Sequence, residues 1–357
     1  MEPVRVGVIG FGMMGRMQAV GCFGALKEEF RLAAVCDDHP PHLAAARELF
    51  GDGVRYFDDY RRMLDECDFE LAAVVTPDFL HEEMAVACLK SGRHLRLEKP
   101  MALDPGGCAR VIEAAERAGT VTQIGLELRY AELTARMRES LGRMGRLKML
   151  WCHEFRHPFL AKPGSVPDWI VQRRYSGGTL VEKCCHHFDF FNEFARARPL
   201  AVHASGDHEV EYARTDVLDN AFATVDYENG VRAGLSLCMF APPKEGRPGL
   251  SALEFGLLGD AGRMEMRDDE LFVWDRVAPG ASRFRHERID LVGHDDEITP
   301  SLRDLARCIR EGGQPLADLR AGLDSVMVAW AAEESARERR IVTLREVEER
   351  FGVRYLD

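Results

Sequence analysis

The chain has 357 residues, more than one hydrophobic core ordinarily supports, so two domains are expected. A formal net charge of -12 with no Lys/Arg-rich run argues against nucleic acid as a partner. A 46% hydrophobic and 30% charged composition is that of a folded chain, and no apolar run is long enough to span a bilayer or serve as a signal peptide, so a cytoplasmic protein without membrane contact is expected.

Val4 to Ile9 predicts a buried strand, followed by the turn Gly10-Phe11-Gly12-Met13-Met14-Gly15 and a helix from about Met14 through Lys27. Arg31 to Cys36 predicts a second strand ending in Asp37-Asp38, then an alanine-rich helix from about His42 to Phe50. Leu71 to Val75 is a further apolar run, with a turn at Thr76-Pro77-Asp78 and a helix from about Glu82 to Ser91. His94 to Leu97 predicts a strand ending in Glu98-Lys99-Pro100, Pro105 to Gly119 a helix, and Thr122 to Gly125 another strand. Apolar strands without polar alternation, separated by helices, predict a doubly wound α/β domain with a parallel sheet over residues 1–127.

Beyond Arg129 the pattern changes. After a helix to about Leu141, strands follow in succession at Lys148 to Phe155, Phe222 to Tyr227, Val231 to Met239 and between Leu253 and about Ile289. Glu228-Asn229-Gly230 joins two of them as a hairpin turn. Grouped strands predict an open, mainly antiparallel sheet, so residues 128–357 are expected to form an α+β domain, with helices again at Ser301 to Glu311 and Ala321 to Arg339. The ten cysteines are scattered and lack Cys-x-x-Cys spacing, which fits reduced, mostly buried thiols.

The spacing Gly-x-Gly-x-x-Gly between a strand and a helix suits a dinucleotide. The first glycine permits the turn, the second lets a pyrophosphate approach the backbone, and the third lets helix and strand pack closely. Asp37 lies 22 positions beyond Gly15 at the end of the second strand, placed to accept hydrogen bonds from both adenosine ribose hydroxyls. Its charge would repel a 2′-phosphate, which favours NAD over NADP; a helix cap shared with Asp38 is the competing role.

Ligands of open parallel sheets bind beyond the carboxyl ends of the strands, where Thr76-Pro77 and Glu98-Lys99 sit. Lys99 there can donate to a reacting oxygen, although a solvated strand-end lysine is commoner. His81 can cap its helix or touch the ligand. Further on, Ser176-Gly177-Gly178 precedes a stretch read as helical, in which Glu182, His186 and Asp189 fall at i, i+4 and i+7 and so share one face. A histidine backed by a carboxylate is a suitable proton acceptor, and a satisfied core histidine is the other reading of His186. Cys184-Cys185-His186-His187 is not expected to hold a metal, because consecutive helical positions point about 100° apart.

In order and spacing these motifs resemble the Gfo/Idh/MocA family over nearly the whole chain. Gly10 to Gly15, Asp37, Thr76-Pro77 with His81, Glu98-Lys99-Pro100-Met101 and Arg129-Tyr130 resemble its cofactor domain; Gly177-Gly178, Glu182, His186 and Asp189 resemble its second-domain signature, with Glu182 where Asp is usual. Cys184 stands where many members carry Gly, and Glu127 where many carry Asn. The resemblance implies a cofactor site built from Gly10, Phe11, Gly12, Met13, Met14, Gly15, Asp37, Thr76, Pro77, His81, Glu98 and Lys99. It implies Lys99, His186 and Glu182 as catalytic residues.

The reaction so implied is NAD-dependent oxidation of a secondary alcohol on a sugar, sugar derivative or cyclitol. Arg129, Tyr130, Asp168, Trp169 and Arg174 are the candidate pocket residues contributed by the second domain, along with Lys99, Glu182 and His186. Two other activities occur among similar proteins: redox-neutral glycoside cleavage through transient oxidation and elimination, and NAD sensing without catalysis. The resemblance also implies a homodimer or homotetramer.

Overall fold

The computed structural model describes residues 2–158, 167–242, 244, 250–288 and 295–355. The chain divides into two compact units, Met1–Tyr130 with Val292–Leu323, and Ala131–Leu291 with Asp324–Asp357. A division at residue 127 leaves out the segment that returns to the first unit.

The first unit holds six strands, β1 (Val4–Ile9), β2 (Phe30–Cys36), β3 (Arg55–Phe57), β4 (Leu71–Val74), β5 (His94–Leu97) and β6 (Thr122–Ile124). They form one parallel sheet in the order β3-β2-β1-β4-β5-β6. Strand order reverses between β1 and β4, so their carboxyl ends open a crevice there. Val6, Val8, Leu71 and Ala73 are fully buried, as strands covered on both faces require. The helix Asp295–Glu311 packs on the same core through Ile298, Leu302 and Leu305. At about 1.5–3 kcal/mol for each fully buried aliphatic side chain, this apolar stripe is enough to bring the segment back to the first unit.

Two features differ from the sequence reading. The helix expected from Met14 through Lys27 is Met13–Met17, a wider π turn at Gln18–Cys22, and Phe23–Ala25. Gln18 is fully buried in that π turn, and its amide meets Glu98. The short β3 and the helix Tyr60–Glu66 have too little apolar patterning to stand out in the sequence.

The second unit holds β7 (Leu147–Arg156), β8 (Pro199–Asp207), β9 (Asn220–Tyr227), β10 (Arg232–Cys238), β11 (Leu250–Gly259), β12 (Gly262–Arg267), β13 (Glu270–Ala278), β14 (Ala281–Arg288) and β15 (Val342–Thr343). The sheet runs β14-β13-β12-β11-β7-β10-β9-β8-β15, antiparallel except for the parallel pair β7 and β10. The expected hairpin is β9–β10, and Gly230 takes the left-handed φ of 81° that its turn demands.

Alternation separates the two faces. Leu150, Cys152, Ala223, Val225, Leu235, Phe255, Leu257 and Met264 are buried, and the helix Cys185–Ala195 packs on this face, the Phe190 and Phe255 ring centres lying 4.6 Å apart. The opposite face carries Met149, Trp151, Phe222, Phe272, Trp274 and Phe284. Among the described residues no helix is long and apolar enough to cross a membrane.

Candidate active site

In the first unit β1 is followed by Gly10, whose φ of 93° is left-handed and whose missing Cβ makes room for the Val75 carbonyl just beyond β4. A Cβ on Gly15 would run into the Gly10 carbonyl, so helix and strand touch there. A Cβ on Gly12 would find only His42 Cε1, at 3.9 Å, which leaves that backbone open to a ligand. Gly10 makes the turn and Gly15 the close packing expected of them, and the open backbone at Gly12 leaves room for a dinucleotide pyrophosphate at the switch point.

Asp37 stands beside this turn. Its carboxylate accepts from the N–H of Phe11 at 2.6 Å and of His39 at 2.8 Å, and lies 3.1 Å from His42 Nδ1. It is therefore bound to the glycine turn itself and held in place by the backbone of Phe11 and His39. Met13 is 81% exposed at the helix start, while the Phe11 ring is buried against Phe50, so Phe11 offers a ligand only its backbone.

The residues after β4 and β5 divide by exposure. Thr76, Pro77 and Lys99 are partly exposed, whereas Glu98 is buried. His81, expected among the cofactor contacts, has no exposed surface; its Nδ1 lies 2.7 Å from the Pro100 carbonyl and its Nε2 3.0 Å from the Thr76 carbonyl. It ties the Thr76 turn to the Lys99-Pro100 turn and presents no ring nitrogen to a ligand. Burial lowers its affinity for a proton, against the pull of the two carbonyls.

Beneath Lys99 lies a polar network that sequence reasoning missed. Arg96 on β5 is fully buried, its Nη1 3.1 Å from Gln123 Oε1 and from the Ile124 carbonyl, its Nη2 3.4 Å from Glu98 Oε1 and 3.3 Å from Glu127 Oε1. Gln18 Nε2 donates to Glu98 Oε1 at 2.6 Å, and Glu98 Oε2 accepts the Lys99 N–H at 3.3 Å. Gly125 is needed here, since a Cβ would come within 2.6 Å of Glu98 Oε2. Burial and the neighbouring Glu98 push the Glu127 carboxyl up to about 8, against the pull of Arg96. The signal in the sequence was an arginine between two leucines on an interior strand.

Arg129 and Tyr130 belong to this unit, not to the second domain as expected. The Tyr130 hydroxyl donates to Asp304 at 2.8 Å and accepts from Gln123 Nε2 at 3.0 Å and from the Ala317 N–H at 3.1 Å, while Arg129 Nη1 donates to the Leu316 carbonyl at 2.9 Å. Both side chains bind the returning segment.

In the second unit the expected single helix over Glu182, His186 and Asp189 is broken. Glu182 ends the helix Thr179–Glu182, and His186 is the second residue of the helix Cys185–Ala195. The i, i+4, i+7 face therefore does not exist as drawn; the helix breaks at Lys183-Cys184, where Cys184 takes φ −93° and ψ 0°. Glu182 and His186 are partly exposed and Asp189 is buried. Asp168 and Trp169 lie in a turn, and Arg174 is exposed beside Gln172 and over the Tyr175 ring.

The break places Lys183 and His187 on buried Glu154 of β7. Glu154 Oε1 lies 3.2 Å from Lys183 Nζ and meets Arg156, and Oε2 lies 2.6 Å from His187 Nε2. Burial works to raise the Glu154 carboxyl, but Lys183, Arg156 and His187 together hold it well below the usual range. Glu154 occupies an inward position of an alternating strand, which was the legible sign of a buried carboxylate. Burial also pushes Cys184 well above the usual thiol range, and no group of three or more His, Cys, Asp and Glu among the described residues could hold a metal ion.

A parallel sheet with a glycine turn at its switch point, followed in one chain by an open mixed sheet, defines a class of NAD-binding oxidoreductases. Residues 4–126 match the family model described as an oxidoreductase family with an NAD-binding Rossmann fold, and residues 138–344 match its C-terminal alpha/beta domain. The chain belongs to the Gfo/Idh/MocA oxidoreductase family, and its cofactor is NAD.

Inositol 2-dehydrogenase 2 of Saccharopolyspora erythraea is 31% identical over 235 residues, which span 64% of this chain and only 64% of that relative. Myo-inositol 2-dehydrogenase of Thermotoga maritima is 22% identical over 96% of this chain and 99% of its own length. Levoglucosan dehydrogenase, solved in complex with NADH and L-sorbose, has the same fold with a TM-score of 0.85 at 21% identity, covering 96% of this chain and 99% of that one.

Proposed function

We propose that this chain is a dehydrogenase that oxidises a secondary alcohol of a sugar, sugar derivative or cyclitol, with Lys99 and His186 in proton transfer. The observation that carries the reading is Lys99 itself, partly exposed at the carboxyl end of β5 with its backbone held by Glu98. The relatives named as inositol dehydrogenases support the substrate class.

Bound NAD supplies the hydride acceptor. Gly12 and the helix start hold its pyrophosphate, and Asp37 accepts from the adenosine ribose, which favours NAD over NADP. Lys99 Nζ donates to the reacting oxygen and stabilises it as charge develops. His186 takes the hydroxyl proton, and Glu182 holds a neighbouring hydroxyl or orients His186. Arg129, Asp168, Trp169 and Arg174 are the proposed substrate contacts, whereas the Tyr130 hydroxyl is taken up by Asp304, Gln123 and the Ala317 N–H.

The test is a screen of cyclitols, monosaccharides and glycosides with NAD and NADP, following reduced cofactor and product together for the native enzyme and Lys99→Ala. Stoichiometric NADH with a cyclitol or sugar is expected, and a loss of about 100-fold or more in kcat for Lys99→Ala. A fully active variant sinks the Lys99 role. A glycoside cleaved without net NADH assigns the redox-neutral reaction instead, and NAD binding with no turnover of any compound favours the sensing role.

We also propose that the chain forms a homodimer or homotetramer through the outer face of the large sheet. Phe222 at 72%, Phe284 at 54% and Met149 at 51% exposure lie on that face. Apolar side chains so grouped are the mark of a protein contact.

A further inference from the structure

Arg96 sits on an interior strand, between β4 and β6, with no exposed surface. A guanidinium there is tolerated only if its charge and its N–H groups are matched. One nitrogen, Nη2, faces two carboxylates, Glu98 and Glu127, while Nη1 is taken by Gln123 and the Ile124 carbonyl. Glu98 Oε1, the oxygen that faces Arg96, also accepts from Gln18 in the π turn, and Oε2 accepts from the backbone N–H of Lys99.

We propose that Arg96 and Glu127 are positioning residues for Lys99: Arg96 anchors Glu98, Glu98 anchors the Lys99 backbone, and a proton on Glu127 keeps Arg96 committed to Glu98. The proposal rests on the reading that Lys99 serves the substrate oxygen.

With Glu127 neutral, the Arg96 and Glu98 charges balance. Ionising Glu127 sets a second carboxylate on the same nitrogen, so Arg96 is drawn from Glu98 and the Lys99 turn loosens. Among the charged groups that act on Glu127 are Arg96 on β5, Glu98 just beyond it and Glu297 from the helix Asp295–Glu311. The two carboxylates oppose its ionisation and the arginine favours it; with burial added, the balance falls at about 8.

Glu127→Gln keeps the side-chain shape and cannot ionise. The ratio of its kcat to that of the native enzyme, measured at saturating NAD with one sugar or cyclitol, is expected to rise about tenfold from pH 7 to pH 9, as the native enzyme alone loses the proton. Taking the ratio removes any pH dependence that the reaction itself brings. In the NAD-free protein the melting temperature of the native chain should fall relative to Glu127→Gln over the same interval. A flat kcat ratio overturns the positioning role, even where the melting difference appears. A flat melting difference overturns the titration of Glu127.

Arg96→Lys keeps the charge but loses the fork, and is expected to lower kcat more than it raises the KM for NAD. Native kcat in that variant overturns the part given to Arg96. Failure of the Lys99 assignment shows separately, as an active Lys99→Ala enzyme.

Discussion

Replacing Glu333 with glutamine isolates the titration of one buried carboxyl beneath the second-domain glycine turn. Glu333 is 4% exposed on the helix Leu319–Glu338, its Oε1 accepts the Leu180 N–H at 2.7 Å, and its Oε2 would lie 2.6 Å from any Cβ placed on Gly178. Burial pushes this carboxyl from an ordinary 4.5 up to about 7. Between those values the folded chain keeps a proton that the unfolded chain has lost, so stability is full below the lower value and falls as pH rises through the upper one.

At about 1.36 kcal/mol per tenfold change in proton affinity, the loss amounts to about 3 kcal/mol. Glutamine keeps the acceptor for Leu180 and does not titrate. Urea unfolding at pH 5, 7 and 8.5 of both proteins reads the difference directly, and Glu333→Gln should gain about 3 kcal/mol on the native chain across that range. Other groups such as Glu127 titrate in both proteins and cancel. A difference constant within about 0.5 kcal/mol would refute the reasoning, since protonation linkage allows no other outcome for a carboxyl so perturbed.

Glu154 has the opposite sign: Lys183, Arg156 and His187 hold its carboxyl down, so its share of stability is present at neutral pH and lost as the pH drops through its depressed value. Glu154→Gln leaves the partly buried Arg156 and Lys183 without their carboxylate and should cost about 2–3 kcal/mol at pH 7, measured by the same unfolding experiment. Gly10→Ala meets both a left-handed backbone and the Val75 carbonyl, and NAD binding followed by fluorescence or calorimetry should be lost in a chain that still folds. Asp37→Ser removes the charge proposed to meet the adenosine ribose, and the KM for NADP should fall by about tenfold, the equivalent of about 1.4 kcal/mol of relieved repulsion. Phe222→Glu should shift the sedimentation coefficient to that of a monomer; an unchanged value removes the outer sheet face as the assembly surface.

Much of the first unit was legible residue by residue. Mostly apolar runs at Val4–Ile9 and Leu71–Val74 without polar alternation are what a strand buried on both faces requires, and the glycine spacing marks the turn between strand and helix. Asp37 was found by its distance along the chain from Gly15, and the structure seats it against the Phe11 N–H. The hairpin at Glu228-Asn229-Gly230 followed from turn chemistry alone.

What the sequence by itself determined is therefore local: strand and helix periods, the glycine turn, and a charged residue waiting at a strand end. The tertiary structure decided which charges meet. Arg96 finds Glu127 from 31 positions away, Arg129 and Tyr130 are claimed by a segment more than 170 residues later, and the helix expected through Glu182 and His186 is broken where Lys183 reaches Glu154. A side-chain period records which face of an element is buried, but a buried charge is stabilised by whichever partner the folded chain delivers, and that partner leaves no mark at any fixed spacing.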